Sequence, residues 1–303
     1  MINLSLDNSI FLVNPSSGKL SLKKKLNIIS AIICGTRAEV KVSRSLEDAS
    51  QIAKKYIKNK KIIVACGGDG LVNIVAQEAI SKNGVMAILP FGRGNDFANS
   101  INIISPDDLR ATFMSPRIFK ARYLHVGFKN YSRISLTCAG VGLLSEAAYR
   151  ATKIPFLKGI LLYTLATIIS FINLKSHKYK ISYDRNVINE DLLILAAAAS
   201  QYTGGGMLIA PDASKINTKL NLLYAKKVNH FNAFRLLLDV FKGTHLKHYA
   251  VTNQHTQKII ITTKSNNTWS SLVYGDGEYL GNLPVKIELG EKNFNVLVPK
   301  SQN

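Results

Sequence analysis

Three glycine-containing segments in the first third of the chain have residue types that suit a phosphate-binding site. In Gly67 to Gly70 (GGDG), three glycines let the backbone approach a polyphosphate without Cβ clashes, and the Asp69 carboxylate can bind a metal or a ribose or activate a hydroxyl. Asn14 to Lys19 offers small residues at the start of a helix, and Leu89 to Phe97 adds the cationic Arg93. Taken alone, Asn14 to Lys19 is more typical of a plain turn.

A pair of carboxylates near the C-terminus has a spacing that suits acid–base or metal chemistry. Asp276 and Glu278 flank Gly277, so they lie on the same side of a turn or strand and could share a metal or act as a base with its partner. As an isolated motif, Asp-Gly-Glu is more often a hairpin turn. Both interpretations stay open on the residues alone.

Parallel strands are predicted to position the three glycine segments. The near-continuous apolar runs Ser9 to Val13, Val40 to Val42, Ile62 to Cys66 and Val85 to Leu89 are typical of strands buried on both faces. A helix is predicted over Leu46 to Asn59, where Ser45 and Asp48 form a capping-box pattern. The β-α-β-α-β order indicates a doubly wound, Rossmann-like α/β domain over residues 1–122. Since ligands bind outside the carboxyl ends of such strands, all three segments should face one site.

The rest of the chain, residues 123–303, is predicted to form a mainly antiparallel β-sandwich domain, whose last strand could return to the first domain. The predicted strands are Leu124 to Phe128, Arg133 to Ala139, Tyr179 to Tyr183, Leu192 to Ala199, Leu220 to Ala225, Lys258 to Thr263 and Pro284 to Leu289, with a strand-like run at Ser270 to Tyr274.

Two apolar stretches between these strands are predicted to be helices. Gly159 to Leu174 has 16 residues, which is short for a bilayer span, so we expect a buried helix, with an interfacial or re-entrant segment as the alternative. Phe231 to Lys242 carries apolar residues at helical spacing. That stripe is typical of a helix packed on a core, and a membrane-facing role is the alternative. Its members are Phe231, Phe234, Leu237, Leu238 and Phe241.

The composition excludes several classes of protein. With 303 residues, 47% of them hydrophobic, and no long Pro/Gly/Ser-rich tract, the chain is neither disordered nor collagen-like. Its three cysteines lie far apart, which supports neither a disulfide framework nor a zinc site.

The chain carries a strong positive charge. Lys and Arg number 39 against 19 Asp and Glu, which gives a net charge of +20. This charge suits binding to an anionic bilayer or another polyanion, although a solvated Lys-rich surface explains it equally well. We see no secretory signal and expect a reducing, cytoplasmic location.

Five motifs, in this order and spacing, resemble those of the diacylglycerol kinase catalytic family, which includes bacterial lipid kinases and sphingosine and ceramide kinases. They are Asn14-Pro15 with Gly18, Gly67 to Gly70, Leu89 to Ala98, Gly204 to Met207 with Pro211 and Ala213, and Asp276 to Glu278. The resemblance covers nearly the whole chain. It implies an N-terminal α/β domain that binds ATP and Mg²⁺, and a C-terminal β-sandwich domain from which the lipid enters.

The resemblance also implies roles for individual residues. Asp276 would take the proton from the lipid hydroxyl; in the sphingosine-kinase branch the residue that matches Asp69 has this role instead, and we favour Asp276. Asp96 and Glu278 would hold the metal. The nucleotide would be bound by Asn14, Gly18, Gly67, Gly68, Asp69, Gly70, Gly92, Gly94, Asn95 and Asp96.

Several positions depart from the family pattern: Leu71 and Ile74 after Gly67 to Gly70, Asn217-Thr218, and Ala199-Ser200 shortly before the triple glycine. Ile74 and Asn217 stand where the family usually has acidic residues, and lost carboxylates weaken the retention of Mg²⁺. A member that binds nucleotide or lipid without turnover is therefore one alternative function. The carboxylates of Asp69, Asp96 and the Asp276 to Glu278 motif persist, which argues for catalysis.

The sequence as a whole predicts an ATP- and Mg²⁺-dependent kinase that phosphorylates a hydroxyl of diacylglycerol or of a related or sphingoid lipid, bound peripherally to an anionic membrane surface. NAD kinase shares GGDG, but Asn14-Pro15 and Leu89 to Phe97 favour the lipid-kinase branch. Nucleic acid is not an expected partner, because no clustered basic helix or RNA-binding aromatic motif is recognisable. A homodimer is one assembly the chain could form.

Overall fold

The computed structural model describes residues 2–152, 174–213, 218–265 and 268–300. Within the chain, residues 1–121 with 292–303 form an N-terminal unit, and residues 122–291 form a C-terminal unit. The predicted helix at Gly159 to Leu174, apart from its last residue, and the departure at Asn217 lie outside the described residues. No helix in the described ranges is both long and apolar enough to cross a membrane.

A sheet with six described strands forms the centre of the N-terminal unit. The strands are β1 Ser9–Val13, β2 Glu39–Val42, β3 Ile62–Gly67, β4 Val85–Pro90, β5 Pro116–Ala121 and β19 Phe294–Pro299. Their order is β2-β1-β3-β4-β19-β5, and all neighbours are parallel except β5, which is antiparallel to β19. The last strand of the chain therefore belongs to the first sheet.

Helices cover both faces of this sheet, which explains why its central strands are apolar without alternation. The helices are α1 Leu22–Ile33, α2 Leu46–Lys58, α3 Asp69–Lys82, α4 Asp96–Ser100 and α5 Pro106–Met114. Phe11 and Val64 pack in one cluster with Ile29 of α1 and Leu109 of α5. The neighbouring residue Ile10, which points to the opposite face, is also fully buried.

Two details of the N-terminal unit differ from the sequence predictions. Strand β2 lies at the edge of the sheet, so its residues are exposed or half-buried rather than buried on both faces. At α2 only half of the predicted capping box forms. The Ser45 hydroxyl accepts a hydrogen bond from the Asp48 backbone N–H (3.1 Å), but the Asp48 carboxylate accepts from the Arg44 N–H (2.8 Å) instead of from Ser45.

The C-terminal unit contains an antiparallel sheet with eleven described strands. They are β6 Leu124–Gly127, β7 Ser132–Ser135, β8 Cys138–Gly142, β9 His177–Tyr183, β10 Asn186–Ala198, β13 Leu220–Lys226, β14 Val251–Thr256, β15 Lys258–Thr263, β16 Leu272–Gly275, β17 Glu278–Asn282 and β18 Val285–Leu289. The main path is β17-β16-β8-β10-β9-β15-β18-β6-β7, and β13 pairs with β10 and β14. Side chains from across its width, among them Leu124, Val141, Tyr179 and Ile287, share one core, as in a sandwich.

The remaining elements of this unit are short. Strands β11 Tyr202–Thr203 and β12 Met207–Leu208 form a hairpin, and the described helices are α6 Leu143–Thr152, α7 His230–Lys242 and α8 Thr268–Ser271. Helix α7 begins at the N-cap Asn229, whose side chain accepts from the Asn232 N–H, and is followed by Gly243 at φ +70°.

Three predictions for this unit are corrected by the structure. The predicted strand Arg133 to Ala139 is two strands, β7 and β8, separated by a turn at Leu136 and Thr137. The strand-like run at Ser270 to Tyr274 begins inside helix α8. The stripe on Phe231 to Lys242 is not a core face, because four of its five members are exposed to solvent. They are Phe231, Phe234, Leu238 and Phe241.

Candidate functional site

The three predicted glycine segments come together in the N-terminal unit. They follow β1, β3 and β4, which are neighbours in register, so all three loops leave the same edge of the sheet. The Asn14 N–H donates to the Cys66 carbonyl (3.1 Å), while the Phe91 and Gly92 N–H groups both donate to the Gly67 carbonyl (2.9 and 3.1 Å). The loops are thus joined by backbone hydrogen bonds.

Close backbone contacts explain two of the glycines in these loops. A Cβ atom on Gly92 would overlap the Cα of Gly68 and come within 2.5 Å of the Asn95 Oδ1. Gly18 has φ +65°, and a Cβ atom there would overlap the carbonyl oxygen of Phe91. Larger residues would therefore push the first and second loops away from the third.

A buried lysine that the sequence analysis missed holds the first loop in place. Lys25 of α1 is 0% exposed, and its ammonium donates to the carbonyls of Asn14 (2.9 Å) and Pro15 (3.0 Å) and to the Ser17 hydroxyl (3.0 Å). Burial lowers the pKa of this ammonium from its ordinary value. Lys25 lies four and seven residues before the buried Ile29 and Ile32, so all three are on one face of α1. This spacing could have identified Lys25 from the sequence as a lysine on an apolar helix face.

The third loop is held by the side chains of its own asparagines. Asn95, at φ +53°, accepts from the Gly92 N–H (2.9 Å) through Oδ1, and its amide donates to the Gly92 carbonyl (3.3 Å). Asn99, which the sequence analysis did not select, donates to the Gly94 carbonyl (3.1 Å). Asn95 thus shapes the loop that carries Gly92 and Gly94.

Two predicted acidic residues lie where the second and third loops meet. Asp69 is the first residue of α3, and its Oδ1 accepts a hydrogen bond from the Phe97 N–H (3.4 Å). Asp96, at the start of α4, is only 7% exposed. The hydrogen bond to Phe97 ties Asp69 to the residue that follows Asp96.

These carboxylates fit a magnesium ion that is brought by a nucleotide. In the described ranges, no group of three or more His, Cys, Asp or Glu side chains is placed to hold a metal ion. Mg²⁺ usually keeps several waters and is bound through one or two carboxylates together with substrate phosphates, so a complete protein cage is not required. Asp69 and Asp96 supply two carboxylates where the second and third loops meet.

The predicted carboxylate pair of the C-terminal unit lies on a tight hairpin. Asp276 and Gly277 form a two-residue connection between β16 and β17, with φ of +52° and +79°, and Glu278 pairs with Gly275 in the ladder. Positive φ at both turn residues is what the preferred two-residue hairpin turn requires, and Asp and Gly tolerate it well. The hairpin interpretation is therefore correct, and it is compatible with a functional role.

The Asp276 carboxylate is held by four hydrogen bonds from one turn. Its Oδ1 accepts from the Ser135 hydroxyl (2.8 Å), the Thr137 hydroxyl (2.7 Å) and the Thr137 N–H (3.0 Å), and its Oδ2 accepts from the Leu136 N–H (2.7 Å). Ser135 and Thr137 are buried. The same turn separates β7 from β8 within the predicted strand Arg133 to Ala139. The Asp276 carboxylate therefore holds the turn that interrupts this strand.

Glu278 has a different environment from Asp276. Its side chain is exposed at the start of β17. The pKa of its carboxyl is raised, first by desolvation against the surrounding protein and then by the charge of Asp276, while Arg133 lowers it. A solvent-accessible carboxyl with a raised pKa can accept a proton near neutral pH more readily than an ordinary glutamate.

An apolar cavity of about 120 Å³ lies within the C-terminal unit. Its walls come from α6, β10, β13 and α7, and its most buried polar group is His245, which is 2% exposed. The His245 Nε2 lies 3.0 Å from the Ile209 carbonyl, and desolvation lowers the pKa of the imidazole. Lining side chains include Leu143, Leu193, Leu223, Leu236, Leu237 and Val240.

A buried arginine binds backbone carbonyls on both sides of Asn217, one of the positions that depart from the family pattern. The Arg122 guanidinium donates to the carbonyls of Ala199 (3.3 Å), Lys219 (3.0 Å) and Ala213. Burial lowers the pKa of this group. Ala213 precedes Asn217 in the sequence and Lys219 follows it. The Arg122 guanidinium therefore hydrogen-bonds to the backbone on both sides of this position.

Comparisons with protein-family models divide the chain in two. Residues 8–116 match the family described as diacylglycerol kinase catalytic domain. Residues 137–298 match the family described as YegS C-terminal NAD kinase beta sandwich-like domain. Both matches agree with the order of the motifs along the chain.

Individual proteins resemble the chain over nearly its full length. A diacylglycerol kinase from Bacillus subtilis (strain 168) is 25% identical over 95% of this chain and 95% of its own. One from Staphylococcus aureus (strain MRSA252) is 24% identical over 94% of this chain and 90% of its own. Among solved structures, a putative diacylglycerol kinase from Bacillus anthracis str. Sterne has a TM-score of 0.75 at 20% identity, over 96% of this chain and 97% of its own, which supports the fold.

Proposed function

Because this chain belongs to the diacylglycerol kinase family, we propose that it transfers the γ-phosphate of ATP to a hydroxyl of diacylglycerol or a related lipid, in a Mg²⁺-dependent reaction at the cytoplasmic membrane surface. The observation that carries the proposal is the meeting of three glycine loops at the carboxyl edge of β1, β3 and β4. Phosphoryl transfer requires positioning, charge neutralisation and a base near the acceptor hydroxyl.

The loops supply the positioning. Because Gly18, Gly68 and Gly92 have no side chain, the three loops can pack against one another at this edge, and α3 directs its positive N-terminal end towards it, where the phosphates of ATP would bind. Lys25 keeps the first loop in its conformation from inside the protein. Asn14 and Asn95 act in this proposal by shaping the loops.

Carboxylates of the N-terminal unit would hold the magnesium ion. In this proposal Asp69 and Asp96 would hold Mg²⁺ together with phosphate oxygens. Glu278, the other metal residue that the family resemblance implies, belongs to the C-terminal unit. The ion would neutralise charge on the phosphates during transfer. The departure at Ile74 removes one acidic residue from α3, so metal affinity depends more strongly on the carboxylates that persist.

The base is one of three carboxylates. Asp276 and Asp69 are the candidates from the sequence, and Glu278 joins them because its side chain is exposed and its pKa is raised. Asp276 already accepts four hydrogen bonds, three at Oδ1 and one at Oδ2, so a lipid hydroxyl would compete with donors that hold this carboxylate in the turn. The alternative is that Asp276 positions the hairpin and Glu278 takes the proton.

The apolar cavity of the C-terminal unit suits a hydrocarbon chain. Leucine, isoleucine and valine side chains dominate its walls, and burial of a methylene group in such a place contributes about 0.8 kcal/mol. A chain inside the cavity would fix a lipid while its headgroup stays in water. This supports a lipid acceptor over a soluble one such as NAD.

The direct test is phosphate transfer from labelled ATP to a panel of lipids in mixed micelles. We expect Mg²⁺-dependent labelling of one lipid among diacylglycerol, monoacylglycerol, sphingosine, ceramide and phosphatidylglycerol, and no labelling of NAD. Labelled NAD would contradict the lipid-kinase proposal. A folded protein that binds ATP and labels nothing would identify a non-catalytic member.

The base is then assigned by comparing Asp276→Asn, Glu278→Gln and Asp69→Asn in the same assay. The base variant should lose turnover while ATP binding stays close to normal. Retained turnover in any one of them excludes that carboxylate as the base.

A further inference from the structure

Helix α7 presents an apolar face to solvent. Phe231, Phe234, Leu238 and Phe241 are 75%, 54%, 50% and 52% exposed, and they recur at i, i+3, i+7 and i+10. At about 100° per residue this spacing places all four on one stripe of the helix. Single exposed apolar residues are normal on a protein surface, but a continuous stripe with three phenylalanines indicates an interaction surface.

The folding of the C-terminal unit does not require this outward stripe. The opposite side of α7 packs inward through Ala233 and Leu236, which are 2% and 8% exposed. Leu236 and Val240 also line the apolar cavity. The helix therefore already has a buried side, and its second apolar side is exposed and contributes nothing to the buried clusters of the described residues.

Cations accompany the exposed stripe. By the same helical geometry, Arg235 lies one turn from both Phe231 and Leu238, Lys242 lies one turn after Leu238, and both cations are exposed. Lys227, just before the helix, is exposed as well. Asp239, the one acidic residue of α7, lies towards the side of the helix and accepts a hydrogen bond from the Thr244 hydroxyl (3.2 Å).

We propose that this face of α7 docks on an anionic lipid bilayer, with the aromatic stripe in the headgroup region and the cations on lipid phosphates. This inference rests on the proposed function, since the acceptor lipid resides in a membrane. An apolar stripe bordered by Lys and Arg has the arrangement of helices that lie in the bilayer interface. The net charge of +20 adds long-range attraction to such a surface.

A second copy of the chain fits this face less well. A two-fold symmetric contact would place Arg235 and Lys242 of both copies at one interface. The one carboxylate of α7, on the half-buried Asp239, offers a single negative charge per copy against these two cations. A bilayer that contains acidic lipids supplies the complementary charge.

Co-sedimentation with phosphatidylcholine vesicles, with and without phosphatidylglycerol, tests the proposal without any need for catalysis. We expect the wild-type chain to bind the vesicles that contain phosphatidylglycerol. Phe231→Ser with Phe234→Ser should weaken that binding by at least about tenfold, because each phenylalanine contributes of the order of one tenfold step when it is buried. Met114→Ser, at an exposed residue of the N-terminal unit, is the matched control and should bind like the wild type.

Kinase assays separate this proposal from the proposed function. The double variant should phosphorylate a short-chain acceptor in detergent micelles at the wild-type rate and lose activity only on vesicles. Absence of activity on all lipids would remove the kinase proposal and leave the vesicle result intact. Equal vesicle binding by the wild type and the double variant would overturn the docking face. A wild-type dimer that the double variant makes monomeric, with unchanged vesicle binding, would overturn it too and identify a subunit interface.

Discussion

Replacement of Asp276 by asparagine should loosen the turn between β7 and β8 as well as stop phosphate transfer. The carboxylate accepts four hydrogen bonds from Ser135, Leu136 and Thr137. An asparagine side chain has one acceptor oxygen. If that oxygen takes the place of Oδ1, three donors keep a partner, but the Leu136 N–H then faces the amide nitrogen, which is another donor.

The magnitude follows from these contacts. Loss of one hydrogen bond to a charged group costs about 1.5–3 kcal/mol. The three that remain become weaker, because charge-assisted hydrogen bonds are roughly twice as strong as neutral ones. We expect the local free energy of opening at Asp276→Asn to fall by about 3 kcal/mol, which is roughly a hundredfold faster amide exchange.

Hydrogen exchange of the Leu136 and Thr137 amides measures this loss directly, and it does not require that the two units unfold together. Glu278→Gln is the matched control, since it removes the same charge from the other carboxylate of the hairpin and should leave the exchange of the Leu136 and Thr137 amides, which bond to Asp276, unchanged. Unchanged exchange in Asp276→Asn, with transfer abolished, would refute the anchoring argument and leave Asp276 a purely chemical role.

Three further predictions concern the loops and the exposed carboxylate. Gly92→Ala should separate the second and third loops at Gly68, cost about 1–3 kcal/mol of stability and weaken ATP binding measured by calorimetry, whereas unchanged affinity would show that the close approach is not needed. Lys25→Met should leave three acceptors unsatisfied and destabilise the N-terminal unit by about 2–4 kcal/mol in thermal unfolding, while the exposed neighbour variant Lys24→Met should be nearly neutral. The pKa of Glu278 is raised in the folded chain, so the folded state binds more protons than the unfolded state between the ordinary glutamate pKa of 4.5 and the raised value. The free energy of unfolding should therefore fall as the pH rises through this range. Glu278→Gln should lack this part of the pH dependence in unfolding measured at a series of pH values.

The amino-acid sequence by itself determined the features that depend on near neighbours along the chain. The apolar runs at β1, β3 and β4 and the glycine segments after them are local patterns, and both fold classes were predicted correctly from them. Helix α2 begins after Ser45 as predicted, since its N-cap needs only residues within one turn. The family was also evident from motif order, because each motif is a short contiguous segment.

The tertiary structure alone decided the features that join distant residues. The break at Leu136 and Thr137 exists because Asp276, 139 to 140 positions away, accepts hydrogen bonds from both N–H groups. The sequence left the position of the last strand open, and the structure inserts β19 between β4 and β5. The stripe on α7 has the spacing of a core helix, and only the packing of the whole unit determines which of its apolar sides is covered. Periodicity identifies a face of a helix, but burial depends on what the rest of the chain brings to it.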